Sequence, residues 1–153
     1  EDVISQAEIP ATRVEIGSAE EGIIPFNVEL TGGSITAGTG GVEILAVNNI
    51  TTSVDISAYN SDIRLFADYE GNGLGEFTQN AGVIETTGLG NIFIDGSGTM
   101  MLGEISTEAG AIIIGATRAP IEITGNPSYV HRTGDFIIDH IESGLMTQPW
   151  VTF

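Results

Sequence analysis

Gly90-Asn91-Ile92-Phe93-Ile94 and Gly110-Ala111-Ile112-Ile113-Ile114 decide the fold. Each places a glycine just ahead of two apolar residues spaced by two, the period at which side chains of a strand share one face. The second stretch repeats the first after 20 residues, Ile92 to Ile112 and Ile94 to Ile114. Toward the amino terminus the interval returns as 21 residues, from Ile35 to Ile56 and from Ile44 to Leu65. A regular period of this size is the mark of solenoids, propellers and arrays. With two or three short strands in each period of about 20 residues, the economical unit is one coil of a β-solenoid, its inward Ile and Val stacked on the next coil.

Composition agrees. Ile, Val and Thr make 47 of the 153 residues while Leu makes only seven, and β-branched side chains fit a pleated strand better than a helix. A β-sandwich is the alternative, since short strands separated by turn residues describe it too. Against it stand the regular period and the scarcity of hairpin dipeptides, namely Asn72-Gly73 and Asp95-Gly96. The length allows one domain with one core.

The charge balance excludes whole classes of partner. Twenty-one acidic residues face four arginines (Arg13, Arg64, Arg118 and Arg132) and no lysine, for a net charge of −17. Four scattered cations cannot neutralise a phosphate backbone, so no nucleic-acid partner is expected, and anionic membranes are disfavoured for the same reason. No apolar run approaches the roughly 20 residues that cross a bilayer, so no membrane insertion is expected. Without cysteine there is neither a disulfide nor a thiolate site. The start, Glu1-Asp2-Val3, has no initiator methionine and no signal-peptide character, which reads as a processed form or an excerpt.

Three stretches follow. Residues 1–30 and 126–153 depart from the repeat and are expected to be amino- and carboxy-terminal cap or docking segments, because the ends of a solenoid leave strand edges to be covered or joined. Residues 31–125 are the expected solenoid repeats.

The wording of the repeats points further. Val54-Asp55-Ile56-Ser57-Ala58, Asp62-Ile63-Arg64-Leu65-Phe66-Ala67-Asp68, the loop Glu70 to Glu76, Gly90 to Ile94 and Met101-Leu102-Gly103-Glu104-Ile105-Ser106-Thr107 resemble the degenerate repeats of filamentous-haemagglutinin-like bacterial surface proteins. The resemblance covers about residues 31–125 and lies in a style of short motif. It implies an all-β, right-handed parallel β-helix within a large secreted or cell-surface protein that serves adhesion, matrix building or as a stalk.

Candidate chemistry is sparse. In Asp68-Tyr69-Glu70-Gly71-Asn72-Gly73-Leu74-Gly75-Glu76, the oxygen donors Asp68, Glu70, Asn72 and Glu76 fall at positions 1, 3, 5 and 9 of a calcium-loop pattern with glycine at 6. Position 12 is Gln79 where a bidentate Glu is expected, and the same residues also build plain turns. Calcium is the expected cofactor if there is one. Carboxylate pairs such as Glu20-Glu21, Glu104 with Glu108 and Asp135 with Asp139 read as solvated surface, because no basic partner accompanies them except Arg132 near Asp135. His131 and His140 would need a turn to share a metal. No serine elbow or phosphate loop occurs, a Thr-x-Thr ladder for ice is missing, and Asn49-Ile50-Thr51 fits a glycosylation acceptor.

The expected function is a non-enzymatic extracellular or cell-surface structural and adhesive solenoid, partnered by identical or neighbouring solenoid domains through its ends. The alternative is a carbohydrate-binding or polysaccharide-processing β-helix engaging surface glycans, for which Tyr59, Phe66, Tyr69, Phe77 and Tyr129 are the scattered aromatic candidates.

Overall fold

The structure, a computed structural model, describes residues 2–5, 9–71, 73–115, 122–124, 128–131 and 136–139, the last three stretches as backbone strands. Among them there is no helix, and the strands stack in tiers. The first tier holds β1 (Val3–Ser5) and β2 (Ile9–Ile16), and the second holds β3 (Val28–Leu30) and β4 (Ser34–Leu45). The third comprises β5 (Ile50–Thr52), β6 (Asp55–Tyr59) and β7 (Ile63–Phe66), and the fourth β8 (Phe77–Gln79), β9 (Val83–Thr87) and β10 (Ile92–Asp95). The fifth has β11 (Thr99–Met101), β12 (Glu104–Thr107) and β13 (Ile112–Gly115), and the sixth β14 (Glu122–Thr124), β15 (Ser128–His131) and β16 (Phe136–Asp139). Every strand pairs in parallel with the strands one tier away, and the result is a β-solenoid of about five turns.

Each coil has three faces. The first is the sheet β1-β3-β5-β8-β11-β14. The second and third form one ten-stranded sheet, because β4 runs through both: its Ser34–Ala37 end pairs with β6 and its Val42–Leu45 end with β7. Inward positions form columns. Ile35, Ile56, Ile84 and Ile105 stack on the second face, and Val42, Ile63, Ile92 and Ile112 on the third, all buried. Val28, Ile50, Phe77 and Met100 fill the first. Burying one such side chain stabilises by about 1.5–3 kcal/mol, and a slip of one residue would turn a whole column to solvent, so the pattern fixes the register.

The four spacings read from the sequence are all register partners: Ile35 with Ile56, Ile44 with Leu65, Ile92 with Ile112 and Ile94 with Ile114. The offset is not uniform, however. Along the third face it runs 28 from Val14 to Val42, 21 to Ile63, 29 to Ile92 and 20 to Ile112. Most of the difference sits at one corner, where the third face turns into the first. There, residues 17–27 and 67–76 are long loops, whereas 46–49 and 96–98 are short turns. The described strands of residues 1–30 are stacked as well, with β1 on β3 and β2 on β4.

Glycine ahead of the third-face strands has a steric cause. A Cβ on Gly110 would run into the Gly90 carbonyl, and one on Gly90 into that of Ser61, so successive coils approach backbone to backbone at this corner. At the corners between strands, side-chain acceptors join the backbone bonds that run from coil to coil. Asp2 Oδ1 accepts from the Asn27 backbone N–H at 3.1 Å, Asn27 Oδ1 from the Asn49 N–H at 3.2 Å, and Asn49 Oδ1 from the Glu76 N–H at 2.9 Å. Asp55 accepts from the Val83 N–H and Asn60 from the Leu89 N–H in the same way. Part of the acidity is thus structural, since a carboxylate satisfies a backbone donor of the next coil that would otherwise lose its partner.

Candidate functional site

The loop 67–76 is held from within. Asp68 is buried, takes a left-handed backbone conformation (φ 56°), and donates its own N–H to the Asn48 carbonyl at 2.9 Å. Its Oδ2 accepts the Gly73 N–H at 3.0 Å and the hydroxyl of buried Ser97 from the next coil. Asp and Asn tolerate this conformation because a short polar side chain can bond locally, which is what Asp68 does. Glu70 and Glu76 stand at the surface, and Asn72 lies outside the described residues. Among the described residues no three His, Cys, Asp or Glu side chains converge on one point.

The remaining sequence candidates are spread over the coil. Glu108 Oε2 accepts the Gly88 N–H at 2.9 Å, and Glu20, Glu21 and Glu104 are exposed. His131 lies on β15 and Asp139 on β16, which belong to different faces, while Asp135, His140 and Arg132 lie outside the described residues. Tyr59 and Tyr69 are exposed, Phe66 is half-buried and Phe77 is fully inside; Tyr129 is placed by its backbone in register with Ile105. On the outer side of the first face the register aligns Thr51 with Thr78, but Met101 comes next, so the threonine column is broken.

A polar groove of about 440 Å³ lies at the second-to-third-face corner, lined by Arg13, Glu43, Asn60, Ser61, Asp62 and Arg64 together with Thr39, Gly40 and Val42. Arg13 Nη2 sits 3.0 Å from Glu15 Oε2 and 3.4 Å from Glu43 Oε2, and Arg64 Nη2 sits 3.1 Å from Asp62 Oδ2. The Arg64 guanidinium also lies 5.5 Å from the Phe93 ring centre. The register explains the cluster, because Glu15, Glu43, Arg64 and Phe93 occupy one outward column. Both arginines among the described residues therefore meet at one groove, a convergence that their sequence separation of 51 hides. Such a lining offers planar donor forks and carboxylate acceptors to the hydroxyls of a polar ligand.

Compared with known protein families, with curated proteins and with solved structures, the chain gives no match in any of the three.

Proposed function

We propose that the chain is a non-enzymatic structural and adhesive solenoid module of the cell surface or extracellular space, whose work is length, stiffness and surface. One observation carries this reading: the parallel ladder continues on all three faces through every described tier, broken in register only by a bulge between Ala11 and Arg13, so each coil is built on the one before it. The resemblance of residues 31–125 to surface-protein repeats supports the same reading. Identical or neighbouring solenoid domains are its partners through the end strands, where parallel pairing extends by strand addition. Calcium belongs to the reading as the cation that the exposed Glu70 and Glu76 of the corner loop would meet.

The test is location and shape together. Antibody raised against the chain is expected to label unpermeabilised source cells or their medium, and solution scattering at rising concentration to show particles lengthening by end-to-end stacking, since six tiers alone span only about 25 Å. Labelling confined to the cytosol overturns the reading. Calcorimetric titration with calcium, with melting compared in chelator, checks the cation separately.

A second reading has the arginine groove in its favour: carbohydrate binding, with Arg64, Asp62 and Ser61 meeting sugar hydroxyls beside Phe93. A glycan array read with the native chain and with Arg64→Ala distinguishes it, and turnover of any polysaccharide in the same assay would make the module an enzyme.

A further inference from the structure

The long loops 17–27 and 67–76 stand on the same corner, on either side of the short turn 46–49. Backbone bonds tie both to that turn. Val47 and Asn48 donate to the carbonyls of Pro25 and Phe26 at 2.9 and 2.8 Å, and Asp68 and Tyr69 donate to those of Asn48 and Ala46, both at 2.9 Å. The loops are thus built into the coil stack, two strand spacings or about 10 Å apart.

Their apolar side chains nonetheless face solvent. Ile23 is 66% exposed, Phe26 50%, Tyr69 42% and Leu74 72%, four of the seven exposed large hydrophobic residues among those described. Scattered exposed hydrophobes need no explanation, but here four of them fall on two anchored loops of one corner. The same loops carry the exposed carboxylates Glu20, Glu21, Glu70 and Glu76, and neither loop contains an arginine or a histidine.

We infer that this corner docks a protein partner whose own surface is basic with apolar side chains between its charges. Apolar knobs set among carboxylates match lysine- or arginine-bearing surfaces whose hydrophobic groups cover Phe26 and Leu74. At this corner a second copy is opposed by charge, since the two loops carry four exposed carboxylates and the chain has no lysine to meet them, which leaves pairing through the end strands untouched. An anionic lipid surface is opposed on the same ground. The inference goes beyond the structural role proposed above and holds wherever the chain resides.

The experiment uses the whole chain with two synthetic peptides of equal positive charge, one of lysine and leucine and one of lysine and serine, together with anionic and zwitterionic vesicles. Titration is expected to show the lysine-leucine peptide binding at least about tenfold more tightly than the lysine-serine one. Amide exchange should be slowed at residues 17–27 and 67–76. Phe26→Ser with Leu74→Ser, both at exposed sites, should lower that affinity about tenfold with an unchanged melting temperature. Should the double variant fold poorly, Leu74→Ser alone and Glu20→Gln with Glu21→Gln carry the test, each expected to weaken binding. Equal binding of the two peptides, protection spread over all faces, binding to vesicles alone, or self-association through Phe26 and Leu74 overturns the inference.

Discussion

Asp62 Oδ1 accepts both the backbone N–H and the side-chain amide of Asn91, at 3.0 and 3.1 Å, and Asn91 Oδ1 in turn accepts the Ala111 N–H at 2.8 Å. Three successive coils are joined by two side chains. Asn91→Ala removes the second bond and leaves the Ala111 N–H without this acceptor, so a loss of about 1–3 kcal/mol is expected. Thermal melting should show a drop of several degrees, and an unchanged midpoint would mean that the corner ladder contributes nothing.

Thr86 and Thr107 are buried with their hydroxyls 3.0 Å apart, both within reach of the Gly90 carbonyl at 2.7 and 3.1 Å, and Thr107 Oγ1 also accepts the Gly110 N–H. Thr86→Val still leaves Gly90 its bond from Thr107, whereas Thr107→Val strands a backbone donor. Urea unfolding should therefore find Thr107→Val the more costly by about 1 kcal/mol or more. The reverse order would refute the assignment.

Ile63 sits in the middle of its column and Val14 in the first tier. Deletion at Ile63 opens a cavity with coils above and below, so Ile63→Ala is expected to cost about 2–5 kcal/mol. Val14→Ala removes a smaller side chain, from the first described tier where the described residues pack it on one side only, and should cost clearly less. Chemical denaturation of the two variants checks this gradient from centre to end.

Gly41 has φ 74°, and a Cβ there would lie 2.5 Å from the Asp62 carbonyl oxygen; Gly22 has φ 66° with open space around it. Gly22→Ala therefore meets only the left-handed penalty of about 1–2 kcal/mol, and Gly41→Ala adds a steric clash in a packed corner. Melting midpoints should fall in the order wild type, Gly22→Ala, Gly41→Ala.

Sodium chloride should raise the melting temperature between low and physiological ionic strength. Screening weakens the self-repulsion of a chain at −17 far more than it costs exposed pairs such as Arg13 with Glu15. A midpoint that falls with salt would show that those pairs dominate.

The buried columns were legible because Ile92 and Ile112, or Ile35 and Ile56, keep both the strand period and the short-corner offset. The steps of 28 and 29 residues were not, since loops 17–27 and 67–76 insert residues that carry no strand period. For the same reason Asp62 and Asn91 do not look like neighbours until the register is known, nor do Arg13, Glu43 and Arg64. The loop at Asp68 stands out in the sequence by its spacing of oxygen donors. That spacing does not tell an outward carboxylate from one turned into the fold to hold Gly73 and Ser97, as Asp68 is.

The bonds that join tiers run along the solenoid axis, so tension along that axis is shared by all three faces. The steps are not equally strong. β8 meets β11 through two register pairs, while β9 meets β12 and β10 meets β13 through four each. The ladder of the first face is thinnest at that step, so tension there falls on its flanks, on the Ser97 and Gly98 N–H bonds to the Gly75 carbonyl and on the Gln79 side chain that bonds Gly103 and Glu104.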